Sequence, residues 1–364
     1  MKFVDEFRKS EHGKKLLEKI ARRSTRPARL MEFCGGHTVA IFKYGIRQLL
    51  PPHIEMLSGP GCPVCVTATS DLDRIISLSQ TPGVIITSFG DLLRVPSSHS
   101  SLQAARAEGG DIRIVYSTLD ALDIARQNPD NKVVFIGIGF ETTAPTIAAS
   151  VVQAHKEGLK NYFVMSLHKI TPPVTKAILD SGETRLDGIV CPGHVTAVIG
   201  SDAWQFLSED YGIACAVSGF EPLDILYCVS MLVEQIESGQ PKIETAYPRA
   251  VRPEGNPEAL RILDDVFEVS PANWRGIGVI PGSGLTIREN YADFDADRNF
   301  CIEVTEEAHE PKGCLCGEVL RGVKTPLDCK LFKKVCNPES PVGPCMVSSE
   351  GTCAAYYHYG DSSG

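Results

Sequence analysis

Cysteine is the residue that stands out by chemistry in this 364-residue chain, which carries thirteen of them. Six fall within the last stretch: Cys314, Cys316, Cys329, Cys336, Cys345 and Cys353. A small cysteine-rich segment needs an external staple, and a metal centre provides one. Zinc takes four thiolates, usually from closely paired knuckles. Here the gaps are wide, C-x12-C-x6-C-x16-C from Cys316 through Cys329 and Cys336 to Cys353, which suits an iron–sulfur cluster wrapped by loops. Cys314 and Cys345 could replace one of the four, so spacing alone leaves the ligand set open.

Two further thiol groups lie near the N-terminus. In MEFCGGHTVA (31–40), Cys34 precedes two glycines and His37. Glycines let the backbone approach a ligand, and a thiolate with an imidazole three residues on can bind metal or act as a nucleophile. The plain alternative is a Gly-rich turn into a helix with Cys34 buried. LSGPGCPVCVTATSD (57–71) holds Cys62-Pro-Val-Cys65. A C-x-x-C at a strand-to-helix turn reads as a dithiol/disulfide pair, its first thiol favoured as thiolate by the helix N-terminus. Half a zinc site is the other reading, but no second C-x-x-C completes it.

The elements that must position these groups are α/β. Apolar runs at IEMLSG (54–59), GVIITSFG (83–90), DIRIVYS (111–117), KVVFIGIGF (132–140), YFVMSL (162–167), GIVCPGH (188–194) and IACAVSGF (213–220) alternate with helical stretches. That pattern predicts parallel sheets covered on both faces. The first ~25 residues read as an amphipathic helix, and VIPGSGLTI (279–287) as one more strand and turn. FIGIGFETTAPTIAASVV (135–152) resembles CAVSGFEPLDILYCVSML (215–232), which hints at two similar halves. The expected domains are 51–150 (first α/β unit, with the C-x-x-C), 151–259 (second α/β unit), and 1–50 with 260–364 (a cysteine-rich iron–sulfur unit built from both chain ends).

Ligands gather at the carboxyl ends of strands in such sheets. Asp91, Glu141, Thr142, His168, His194 and Glu221 all follow predicted strands. Each also has a plain reading as a helix cap or first-turn residue. His194, after Cys191-Pro-Gly, is the one most suited to line a cleft with the thiols. GIGFETT lacks both the spacing and the basic residue of a phosphate loop. A net charge of −9 argues against nucleic-acid binding. The charged N-terminus is no secretory signal and no stretch reaches transmembrane length, which predicts a cytoplasmic protein with reduced thiols.

In combination, CGGHT (34–38), GPGCPVC (59–65), GFETT (139–143), PGHV (192–195) and the spaced tail cysteines resemble the HypD family of nickel–iron hydrogenase maturation factors, over nearly the whole chain. The resemblance implies a scaffold for the Fe(CN)2CO unit, working with HypC and taking cyanide from HypE. Cys34 would bind the transient iron carrying CN and CO, shared with a cysteine of HypC. Cys62 and Cys65 would be the redox dithiol, and His37 and His194 cleft residues. Cys316, Cys329, Cys336 and Cys353 would hold a [4Fe-4S] cluster. No standalone reaction is implied. A reading from another class is a cluster-dependent thiol-disulfide reductase, which gives Cys34 no role; a zinc-stabilised α/β binding protein is a third.

Overall fold

The computed structural model describes residues 10–304 and 307–360. The described part opens with the helix Ser10–Arg23, inside the span expected to be helical; residues 1–9 lie outside it. Strands β1 (Ala28–Glu32) and β2 (Ile54–Ser58) follow. Next come β3 (Val84–Ser88), β4 (Asp111–Ile114), β5 (Lys132–Gly137) and β6 (Tyr162–Ser166). The chain continues with β7 (Gly188–Pro192), β8 (Ala214–Ser218) and β9 (Ile243–Thr245), then the antiparallel pair β10 (Phe267–Trp274) and β11 (Gly278–Ile287). All seven predicted apolar runs contain strands, and β3, β7 and β8 are buried along their whole length, as strands covered on both faces must be.

Two all-parallel sheets result, one ordered β2-β1-β7-β8-β9 and one ordered β4-β3-β5-β6. Within its own sheet each unit has its second strand outside its first and its third on the other side, the doubly wound order that opens a crevice beside the first strand. The strand pairings cut across the expected boundaries. β2 pairs with β1 (Ala28↔Ile54) in the five-stranded sheet rather than with its sequence neighbour β3. β6 pairs with β5 (Val133↔Tyr162) rather than with β7. The four-stranded unit is therefore inserted between β2 and β7. The physical reason is that β1 has two free edges and takes β2 on one and β7 on the other. The shared topology is real, but the Gly-Phe-Glu likeness does not mark it: β5 occupies the third place of its unit and β8 the fourth.

The chain ends do not come together as one block either. Leu16 and Ile20 of the first helix join Leu223, Leu226 and Val229 of the helix Pro222–Ser238 in the core beside the five-stranded sheet. The helix Pro257–Val266 and Phe267 and Ile287 of the β10–β11 hairpin pack in the core of the four-stranded unit. From the N-terminal part, the helix Gly35–Lys43 meets the cysteine-rich tail, where Phe42 packs tilted against Tyr356 of the helix Thr352–Tyr359 at 4.4 Å, and Arg47 donates to the Tyr356 hydroxyl. No described helix is long and apolar enough to cross a membrane.

Candidate metal and thiol site

The crevice of the five-stranded sheet lies beyond the carboxyl ends of β1 and β7, and there the chain places Cys34, His37 and His194. Cys34 is the N-cap of the helix Gly35–Lys43, in extended conformation (φ −152°), and its carbonyl accepts the N–H groups of His37 (2.9 Å) and Thr38 (3.1 Å). The glycines have a definite job. Gly35 N–H donates to Gly61 O at 2.9 Å, and a Cβ on Gly61 would lie under 3.0 Å from the backbone N and Cα of Cys34. The Cys34 loop and the loop leading to Cys62 therefore meet backbone to backbone, which no side chain at Gly61 would allow.

Glu32, the last residue of β1, is fully buried beneath this loop. Its carboxylate accepts the Cys34 N–H (2.9 Å) and the Thr38 hydroxyl, and burial pushes it up to about 8. A charged residue closing an apolar strand two positions before a motif cysteine was the signal for it. The Cys34 thiol is half-buried; burial and the nearby Glu350 and Glu32 carboxylates push it up to about 12.

His37 is completely buried. Its Nε2 lies 3.2 Å from Ser218 O and 3.0 Å from Gly219 O, so this nitrogen carries the hydrogen and Nδ1 keeps a bare lone pair, with no partner among the described residues. Burial draws the imidazole down to about 4, so it is neutral. The Phe220 ring stacks on His37 (4.6 Å) and packs tilted against His194 (4.0 Å), linking the ends of β1, β7 and β8 in one row of rings. In this Gly-Phe-Glu string the sequence singles out Glu221, whereas it is Phe220 that the structure places between the two imidazoles. Glu221 has the plain role, as N-cap of Pro222–Ser238 with its N–H on Asp224 Oδ2 (3.2 Å).

Cys62 and Cys65 are buried and joined as a disulfide, Cα atoms 5.2 Å apart, across the helix Pro63–Val66. Cys62 is the N-cap, and its sulfur accepts the Cys65 N–H at 3.2 Å. The Cys65 sulfur lies 3.9 Å from Pro344 O, so the dithiol rests on the tail beside Cys345.

In the tail, Cys314, Cys316, Cys329, Cys336 and Cys353 line one narrow cavity, walled by Leu331, Phe332 and Met346. Cys345 is buried against Cys316 and Cys353, which push its thiol up, while the same contacts draw Cys353 down. All six tail sulfurs are thus gathered, including the two that spacing left over. Among the described residues no three Cys, His, Asp or Glu side chains close on a single ion. Soft donors ringing an apolar cavity fit a four-thiolate cluster.

Glu141 and His168 belong to the other sheet, following β5 and β6. Glu141 Oε1 accepts the N–H (2.7 Å) and hydroxyl (3.0 Å) of Thr171, while Oε2 is buried without a partner among the described residues. Burial raises this carboxyl to about 7. The folded state then holds a proton that the unfolded chain loses near 4.5, so the contribution to stability is full below 4.5 and lost as pH rises through 7. Glu141→Gln mimics the protonated acid. It should match the parent at pH 4.5 and exceed it above pH 7 by at most ~3 kcal/mol, read as chemical denaturation midpoints across that range. A constant offset at every pH would rule this out.

A family model described as "HypD: Hydrogenase formation hypA family" matches residues 11–360. The chain is 48% identical to hydrogenase maturation factor HypD of Azotobacter vinelandii, covering 99% of this chain and 97% of that protein. It is 44% identical to the protein of that name from Escherichia coli (99% and 98%). It is also 44% identical to a putative hydrogenase expression/formation protein of Methanocaldococcus jannaschii (95% and 94%). With its thiol loops, row of rings and cysteine-lined cavity carried on a match of this length, the chain belongs to the HypD family.

Proposed function

We propose that this protein acts in hydrogenase maturation as a redox-active scaffold on which the Fe(CN)2CO unit is built. The observation that carries the reading is contiguity. The Cys34 loop is locked to the Cys62–Cys65 loop through Gly61, and Cys65 rests on the tail segment that joins the cysteine-lined cavity. Iron is the cargo. Cys34 supplies a soft thiolate for it, Glu32 fixes the loop through the Cys34 N–H, and neutral His37 offers the bare Nδ1. HypC would share the iron and HypE would deliver cyanide.

Cys316, Cys329, Cys336 and Cys353 would hold a [4Fe-4S] cluster, which exchanges single electrons; the dithiol exchanges two with a bond made or broken. A reductase acting on a protein disulfide needs an exposed attacking sulfur, whereas Cys62 and Cys65 are 3% and 0% exposed. That favours the scaffold. Anaerobic purification with an absorption spectrum and iron, sulfide and zinc analysis should give about four irons and four sulfides, lost in Cys316→Ala. A colourless zinc protein would refute the cluster. Replacing Cys62 and Cys65 with Ala should stop maturation while leaving Cys34-dependent iron in place; normal maturation in that variant would refute the dithiol's role.

A further inference from the structure

The turn between β10 and β11 is a wedge between the dithiol and the tail. On one side Arg275 N–H donates to Val66 O (2.9 Å), the residue after Cys65, and Trp274 bridges Thr67. On the other, Gly276 packs so closely that a Cβ there would run into Cα of Gly317, next to Cys316, and Gly276 O accepts from Arg321. Arg275 is 2% exposed at this junction. Its Nε donates to Glu310 Oε2 (2.9 Å) and its two terminal nitrogens lie 3.4 Å from Pro96 O. Glu310 is half-exposed, and its other oxygen accepts from Thr69, at the start of the helix that follows the dithiol (2.6 Å). A buried cation thus sits at the junction between the segment that follows the dithiol and the cysteine-rich tail, with one solvent-facing carboxylate offsetting it.

We propose that Arg275 sets how readily the Cys62–Cys65 disulfide accepts electrons, and that Glu310 moderates its charge. This rests on the dithiol reading above. Reduction breaks the S–S bond and adds two electrons with up to two protons, taken from an external dithiol that closes to its own disulfide. Any sulfur left as thiolate gains negative charge in a poorly screened interior, where a nearby cation stabilises it.

The test equilibrates the full-length protein, prepared anaerobically, in a series of reduced and oxidised dithiothreitol at one pH. Cys62 and Cys65 thiols are counted by alkylation and peptide mapping. Arg275→Gln should lower the reduction equilibrium constant about tenfold, a midpoint about 30 mV more negative, and Arg275→Lys should recover most of it. Glu310→Gln should shift the midpoint the other way, and have no effect in the Arg275→Gln background. Midpoints equal to the parent, or a Glu310→Gln shift that survives without Arg275, would overturn the proposal. Should Arg275→Gln not fold, Glu310→Gln and Arg275→Lys decide it alone. A dithiol that never reduces across the series would overturn the redox reading itself; one that titrates normally without shifting overturns only the role of Arg275.

Discussion

Cys34→Ala is expected to retain no scaffold iron beyond that of the tail, and to support no hydrogenase maturation, while melting within about 2 °C of the parent. The separation of function from stability follows from the local geometry. The Cys34 side chain makes no capping hydrogen bond. The loop is held by backbone groups that alanine keeps: Cys34 N–H on Glu32, Gly35 N–H on Gly61 O, and the Cys34 carbonyl under His37 and Thr38. Only the sulfur is lost. Cys34→Ser should fail almost as fully, because a hard hydroxyl does not replace a soft thiolate for iron bearing cyanide and carbonyl. Changes around a metal ligand typically cost 10–100-fold in affinity, so loss of the ligand itself should exceed about 100-fold. The check is iron per protein after anaerobic co-purification with HypC. Iron held equally well by Cys34→Ala would remove the scaffold from consideration and leave the thiol-disulfide reductase as the better account.

The strands were legible because parallel strands buried on both faces must be apolar along their length, as GVIITSFG and KVVFIGIGF are. Their partners were not, because pairing is a choice between edges far apart in sequence. β1 escaped notice for a local reason: its five residues include Arg29, which pairs with Glu55 at the surface, and Glu32, buried under the Cys34 loop. The same non-locality hid Phe220. In a string its ring is one apolar residue among many, and its packing between His37 and His194 exists only once three strand ends are side by side. The thiol groups were legible as groups, since cysteine spacing is a local property. Their contact through Gly61 was not, although the glycines of GPGCPVC were visible. Choosing four ligands among six tail cysteines is not a question of spacing, because Cys314 and Cys345 lie with the others.

The placement of the cluster can be tested without touching a cysteine. A Cβ on Gly343 would lie 2.6 Å from the Cys314 sulfur and 2.7 Å from that of Cys316, closer than real Cβ atoms approach. The backbone there is extended (φ −119°, ψ 157°), a conformation alanine adopts freely, so the substitution brings no main-chain strain. Free thiols can turn aside about χ1, whereas sulfurs bound to a rigid cluster cannot. Gly343→Ala should therefore fold and yet lose most of its iron and sulfide, with the visible absorption falling in step. Gly13→Ala provides the contrast: its Cβ would make ordinary 3.7 Å contacts with Leu223 and Leu226 from within the helix Ser10–Arg23. That change should leave the iron content alone and stabilise the fold by ~0.5–1 kcal/mol. If Gly343→Ala keeps a full complement of iron and sulfide, the cysteines lining this cavity on the Cys314–Cys316 side do not hold the cluster. The ligands would then have to be sought among the sulfurs on the Cys345 side.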